Sequence, residues 1–354
     1  FGFETFFDEF VSFAANDERS PDALSFKQVQ EYDGLTRYRE YLSQAAREGV
    51  FVESLRNGLY IKANDFLRNK PLPQIGDCGA NAIIEKSCAL TRGREPFVLF
   101  TNFIDAHGPM ANCRVLDSDV PYEWHSREID TERIRDGDPS DFESYLENYR
   151  DLYRANVEYL DRKVSAWIDR LQAQTERETV FVITADHGEE LGHSGEQDLG
   201  HMDVSNALLH VPLLISGVDE SYTESDPVSL LDLGAIVTAL ATGHSVPEVS
   251  RDRVPAERLG MLFYSDEDPY WTRGVRTVIE EEHRYEWDQT GKSVRIQIGK
   301  SSDESSEAVE IPASITELFD DPLADTLADA RGDRSGPDID GGTEEQLKTL
   351  GYFV

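Results

Sequence analysis

VFVITADHGEELGHSGEQDLGHMDVSNALLHVPLLISG, residues 180–217, decides the fold. Two apolar runs, residues 180–184 and 211–216, bracket a segment dense in Asp, Glu, His and Gly. Short β-branched runs flanked by glycine and polar residues predict buried strands of a mainly parallel sheet. Asp186, His187 and Glu189 then follow the carboxyl end of the first strand, where open α/β sheets place their sites. An adjacent Asp and His can give a metal a carboxylate oxygen and an imidazole nitrogen. Gly188 lets the backbone turn sharply behind them. The plainer reading is a strand-end turn in which Asp186 caps the next few residues.

Working outward, residues 142–174 form the clearest helical stretch. Val157, Leu160, Val164, Trp167, Ile168 and Leu171 recur at steps of three and four. This helix delivers the chain into the strand at Val180. Upstream, residues 80–91 read as a helix feeding an apolar strand at 97–104. Residues 35–67 read as two short helices, and KPLPQIG at 70–76 as a breaker. Residues 112–140 are polar and read as a long surface loop. Downstream, residues 226–241 read as a helix with Asp226 as N-cap and Pro227 in its first turn. After about residue 250 the pattern shifts to short strands joined by turns, at 274–282, 284–288 and 293–298, which is meander material. A short helix at 343–350 closes the chain. The expected fold class is therefore α/β: a mainly parallel sheet flanked by helices over residues 1–259, and a smaller α+β subdomain with an antiparallel sheet over 260–354.

The charge is extreme. Asp and Glu number 69 against 34 Lys and Arg, a net charge of −35. Nucleic acid, with its phosphates, is excluded as a partner. The acidic residues run from end to end, and 39% of residues are hydrophobic, so this is not a disordered polyanion. The composition reads as a solvated, salt-adapted surface of halophilic type. Cys78, Cys88 and Cys113 have no metal spacing and imply no disulfide framework. No apolar run is long enough for a membrane span. Oligomeric state leaves no mark on the sequence.

ADHGEELG at 185–192, GH at 200–201 and HVPLLISG at 210–217 resemble the sulfatase branch of the alkaline-phosphatase superfamily. FVLFTNFIDAHGP at 97–109 is similar to the family's strand ending in a substrate-binding His and a Pro. ELFDDPLADTLADA at 317–330 and EEQLKTLGY at 344–352 are similar to its C-terminal ending. The resemblance implies an alkaline-phosphatase-like fold and metal-dependent hydrolysis of sulfate esters. By it, Asp186 and His187 coordinate one divalent metal. Calcium enzymes of the family often carry Asn where His187 stands, and imidazole suits Mn or Zn better than Ca; Ca or Mg is the family expectation. His107 would contact the sulfate ester and protonate the leaving oxygen, with Asp105 as its orienting partner, since imidazole titrates near neutrality. His201 would grip the sulfate as a cation, although Val204 and Asn206 stand where the family has Tyr-x-Glu.

The same resemblance implies a paired-Asp strand and a Cys-x-Pro-Ser-Arg motif whose Cys matures to formylglycine. Neither is present, so the chain is expected to be a fragment lacking the family's N-terminal region. Cys88, in CALTR at 88–92, echoes that motif only superficially and reads as a helix residue. The implied substrate is a sulfated small molecule or carbohydrate. Two rivals remain: a phosphodiesterase or phosphonate hydrolase of the same superfamily, and a non-catalytic relative that binds anionic glycans.

Overall fold

The computed structural model describes residues 7–11, 23–24, 29, 32, 34–67, 70–77, 79–129, 133–134, 137–192, 199–200, 203–218, 227–249, 251–260, 272–280, 282–298 and 306–332. The chain divides into two compact units, Phe1–Glu178 with Pro337–Val354, and Thr179–Gly336. Among the described residues, no helix is long and apolar enough to cross a membrane. His193, His201, Asp226 and the expected closing helix at 343–350 lie outside the described residues.

The first unit is helical. Helices α1 (Gly34–Arg47) and α2 (Phe51–Leu67) pair across a short turn. Leu24, Val29, Tyr41 and Ala45 form a small core beneath them. The Tyr41 hydroxyl donates to the Leu24 carbonyl at 2.8 Å, and Leu24 N donates to Ser54 Oγ at 2.9 Å, so these buried polar atoms are bonded. Helix α3 (Ala80–Thr91) has the bounds its sequence predicts. Asp77 caps it, accepting from the Asn81 and Gly79 amides at 3.0 and 3.3 Å.

Helix α4 (Glu143–Gln174) packs on α3. Its buried face runs through Tyr145, Tyr149, Leu152, Asn156, Tyr159, Trp167 and Leu171. That face is rotated from the one expected, and Val157 is exposed. The physical reason is that the tyrosines bury rings while their hydroxyls find partners: Tyr145 Oη donates to Ser126 O at 2.6 Å, and Tyr159 Oη to Asp77 Oδ2 at 2.5 Å. Burial and the Asp77 carboxylate push the Tyr159 phenol up.

Burial likewise pushes the Cys113 thiol up to about 11. Since only the thiolate alkylates, about one Cys113 in a thousand is reactive at pH 8. Iodoacetamide at that pH, read by peptide mass mapping, is expected to leave Cys113 unmodified in the native chain and to modify it in urea. Labelling of native Cys113 at the rate of a free thiol would contradict this.

Residues 97–104, expected as a strand, run without regular secondary structure, and Val98 and Phe100 are exposed. A strand exists through its neighbours, and among the described residues none pairs with this one.

The second unit holds every named strand. β1 (Phe181–Thr184) pairs with β4 (Leu213–Ser216), matching Phe181 to Ser216 and Thr184 to Leu213. Between them lie the short pair β2 (Glu190–Leu191) and β3 (Leu199–Gly200) and the one-turn helix α5 (Asn206–Leu209). Helix α6 (Leu233–Ala241) comes next. It starts later than expected because a 3₁₀ turn, Leu230–Asp232, comes first, with Ser229 Oγ accepting from Leu231 N at 3.2 Å. A five-stranded sheet then runs in order β5 (Val254–Arg258), β6 (Val275–Ile279), β7 (His283–Asp288), β8 (Ser293–Gln297) and β9 (Ser306–Ala308). β6, β7 and β8 correspond to the three expected short strands, and β5 and β9, which were not expected, extend the meander at either edge. Helices α7 (Ala313–Thr316) and α8 (Leu323–Gly332) lie after it in the chain.

The mixture of helices and strands is as expected, but the mainly parallel sheet is not found. Every strand pair among the described residues is antiparallel. An apolar run reports that a strand is buried, not which way it points. Direction comes from the connection, and parallel neighbours need a crossover, usually a full helix. Among its described residues, the link between β1 and β4 contains no helix longer than the one-turn α5, and the two strands run antiparallel.

Arg276 on β6 fastens the C-terminal segment to the sheet. Its guanidinium donates to Glu257 Oε2 at 3.0 Å, to Thr326 Oγ1 at 2.9 Å and to the Asp321 carbonyl, and it stacks on Phe319 at 4.3 Å. The side chain is almost fully buried, and these bonds make that burial tolerable.

Candidate active site

β1 ends at Thr184, and the chain turns through Ala185–Asp186–His187–Gly188. One contact fixes the turn: Gly188 N donates to Leu208 O at 2.8 Å. The approach is so close that a Cβ on Gly188 would stand 1.9 Å from the Ala207 carbonyl oxygen. Glycine at 188 is therefore required by the packing of α5 against the turn, and its φ is not what matters.

Within the turn, His187 N donates to Asp186 Oδ1 at 3.1 Å. His187 Nδ1 meets Gly188 O at 2.6 Å. A carbonyl oxygen only accepts, so Nδ1 carries hydrogen, and the neutral ring has its lone pair on Nε2. Nε2 lies 4.0 Å from Asp186 Oδ2. The Asp186 side chain is 78% exposed and that of His187 28%. A carboxylate oxygen and an imidazole nitrogen thus stand 4.0 Å apart, the carboxylate well exposed and the imidazole partly so. Glu189 and Glu190 are buried behind them. Among the described residues, no group of three or more His, Cys, Asp or Glu side chains is arranged so that it could hold a metal ion.

His107 belongs to the other compact unit. It sits in a turn, its amide donating to Ile104 O at 2.9 Å. Its Nδ1 meets Gly108 O at 2.5 Å, which gives it the tautomer of His187. Asp105 is buried two residues before it. Cys88 lies in α3 with no exposure, as a helix residue should, and burial pushes its thiol up.

Sequence reasoning missed a charged brace behind the turn. Arg284 on β7 donates to Asn206 Oδ1 at 3.3 Å, and Asn206 opens α5. Arg284 also lies 3.8 Å from Glu286 Oε2. Arg273 bonds Asp288 at 2.9 Å and Glu286 at 3.2 Å. Burial, with Asp203 nearby, pushes the Glu286 carboxyl up. Burial works against Asp288 too, but bonds from Thr290 and Arg273 hold its carboxyl below the usual range. The sheet thereby reaches Gly188 through Arg284, Asn206 and Leu208. Charged residues on alternating strand positions read as solvated in sequence, so nothing there marked Arg284 as buried.

The model of the family described as Sulfatase matches residues 2–243. No curated protein matches the chain. A solved structure from Bacteroides thetaiotaomicron VPI-5482, assigned as a sulfatase, shares 16% identity, covers 83% of this chain and 63% of its own, with a TM-score of 0.36. A 2-O GAG sulfatase shares 13% identity over 76% of this chain and 57% of its own, at 0.32. A third structure, in complex with its substrate D-glucosamine-2-N,6-O-disulfate, shares 13% identity over 61% of this chain and 43% of its own, at 0.31. The chain spans less than two thirds of the length of these structures.

Proposed function

Since this chain belongs to the sulfatase family, we propose that it serves hydrolysis of sulfate esters, with Asp186 and His187 as ligands of a divalent metal. The observation that carries the reading is the pairing of His187 Nε2 with Asp186 Oδ2 at 4.0 Å, with Nδ1 engaged by the Gly188 carbonyl. The donor types fit a divalent cation, and imidazole favours Mn or Zn over Ca. Two donors do not fill a coordination sphere, so further ligands belong to groups other than these. When bound, the metal would supply Lewis-acid charge stabilisation for the ester.

The chain's own residues then have separate tasks. Asp186 and His187 hold their donors in fixed relation because one turn carries both and Gly188 pins it. His107 keeps Nδ1 hydrogen-bonded to Gly108 O, which leaves Nε2, a buried atom here, as the nitrogen that would face the ester. As imidazolium it would protonate the departing alcohol oxygen. His201 would hold the sulfate group as a cation or hydrogen-bond donor. Cys88, fully buried within α3, is read as a helix residue and not as the nucleophile. The substrate is read as a sulfated small molecule or carbohydrate, and the −35 charge as adaptation to high salt.

The test is an assay of the full-length gene product at high salt, with Ca, Mg or Mn, against an aryl sulfate and the matching aryl phosphate diester. Sulfate release abolished by EDTA and restored by metal is expected. Preferential cleavage of the diester, or sulfate release indifferent to chelation, would overturn the proposal.

A further inference from the structure

The turn that carries Asp186 and His187 leans on α5. Gly188 N donates to Leu208 O at 2.8 Å, and a Cβ at Gly188 would stand 1.9 Å from Ala207 O. With so little slack, a shift of α5 is passed to the turn. Yet α5 is a single turn. Its own bonds run only from Leu208 N and Leu209 N to Ser205 O, at 3.1 and 3.0 Å, and from His210 N to Asn206 O at 3.0 Å. A helix this short does not hold its own place and must be held from outside.

The sheet supplies a hold. Asn206 opens α5, and its Oδ1 accepts from Arg284 Nη1 at 3.3 Å. Arg284 stands on β7, the middle strand of the five, paired to Ile279 on β6 and to Ile296 on β8. Its backbone is therefore fixed from both sides. Its side chain is buried and lies 3.8 Å from Glu286 Oε2, and Glu286 is in turn bonded by Arg273 at 3.2 Å. For stability alone an apolar side chain of similar size would serve at such a position. An apolar side chain has no donor for Asn206.

We infer that Arg284 is a positioning residue for the metal ligands: through Asn206 it fixes α5, and through α5 it fixes the turn that sets Asp186 beside His187. The inference rests on the metal reading of that pair. Arg284 touches neither ligand in this role, and its effect travels through the backbone of α5.

The test is equilibrium dialysis of the full-length gene product with Mn²⁺, with a melting curve for each variant and dialysis well below the melting transition. Arg284→Met is expected to weaken Mn²⁺ retention about tenfold, the low end for loss of an outer partner of a metal ligand. Asn206→Ala, at a half-buried position, is expected to do the same, and it carries the test if Arg284→Met does not fold. Asn206→Asp keeps an acceptor for Arg284 and is expected to retain Mn²⁺ like the parent. The double variant is expected to fall no further than the worse single one, since both act on one link. Arg276→Met is the structural control. It removes a buried arginine from the neighbouring strand β6, one bonded to Glu257, Thr326 and the Asp321 carbonyl. It is expected to lower the melting temperature and leave Mn²⁺ retention unchanged. Parent-like retention in Asn206→Ala overturns the inference. So do additive losses in the double variant, or an equal loss in Arg276→Met. Failure of the metal reading itself looks different: His187→Ala would then retain as much Mn²⁺ as the parent.

Discussion

A Gly188→Ala variant is expected to lose about 3 kcal/mol of stability, the upper end of what a single added methyl does in a packed site. The new Cβ would stand 1.9 Å from the Ala207 carbonyl oxygen and 3.0 Å from its carbon. Both are backbone atoms of α5, so no side chain can rotate away. Either α5 moves, breaking the Gly188 N to Leu208 O bond, or the turn carrying Asp186 and His187 moves. Each outcome spoils the paired donors, so metal binding should fall with stability. Gly234 in α6 is the control. A Cβ there meets nothing within 4 Å, and Gly234→Ala should be neutral or slightly stabilising, as alanine is in helices. Gly217→Ala is a second positive: its Cβ would lie 2.3 Å from Thr179 O, at a φ of +83° that side chains rarely adopt. Melting curves for the three variants decide the matter. A Gly188→Ala chain as stable as the parent would show that the turn is not pinned on α5.

His187→Ala is expected to reduce sulfate release by the full-length protein about 100-fold or more, because loss of an outer partner of a metal ligand already costs roughly 10–100-fold. The same substitution should leave the fold intact. The His187 side chain is partly exposed, and its bond to Gly188 O is a neutral one worth about 1 kcal/mol. Equilibrium dialysis of this chain with Mn²⁺ gives a readout independent of turnover: retained Mn²⁺ should fall in His187→Ala and in Asp186→Ala. His187→Asn exchanges a nitrogen donor for an oxygen donor and should move preference from Mn toward Ca. Full activity and unchanged Mn²⁺ retention in His187→Ala would remove the pair from the metal site.

The two predictions differ in what made them visible. Asp186 and His187 stand out in the sequence as chemistry-bearing letters at a strand end. Gly188 reads there only as a residue that permits a sharp turn. Its actual constraint is the carbonyl of Ala207, nineteen positions on, which no local pattern contains. His107 is similar. Its place in a DAHGP turn is legible, while the Gly108 carbonyl that sets its tautomer is not.

Local physics settled much of the secondary structure without help from the fold. Helix α3 begins and ends where the sequence reading puts it, and the strands β6, β7 and β8 fall close to the three short runs separated by turns. These elements rest on interactions within a few residues, which sequence carries directly. Tertiary structure alone decided the direction of β1 against β4, the rotation of α4 onto its tyrosine face, and the burial of Arg276, Arg284 and Glu286. Each of those depends on partners far along the chain. A β-branched run is equally apolar whichever way its neighbour runs, and an arginine looks solvated until a distant carboxylate and carbonyl take up its donors.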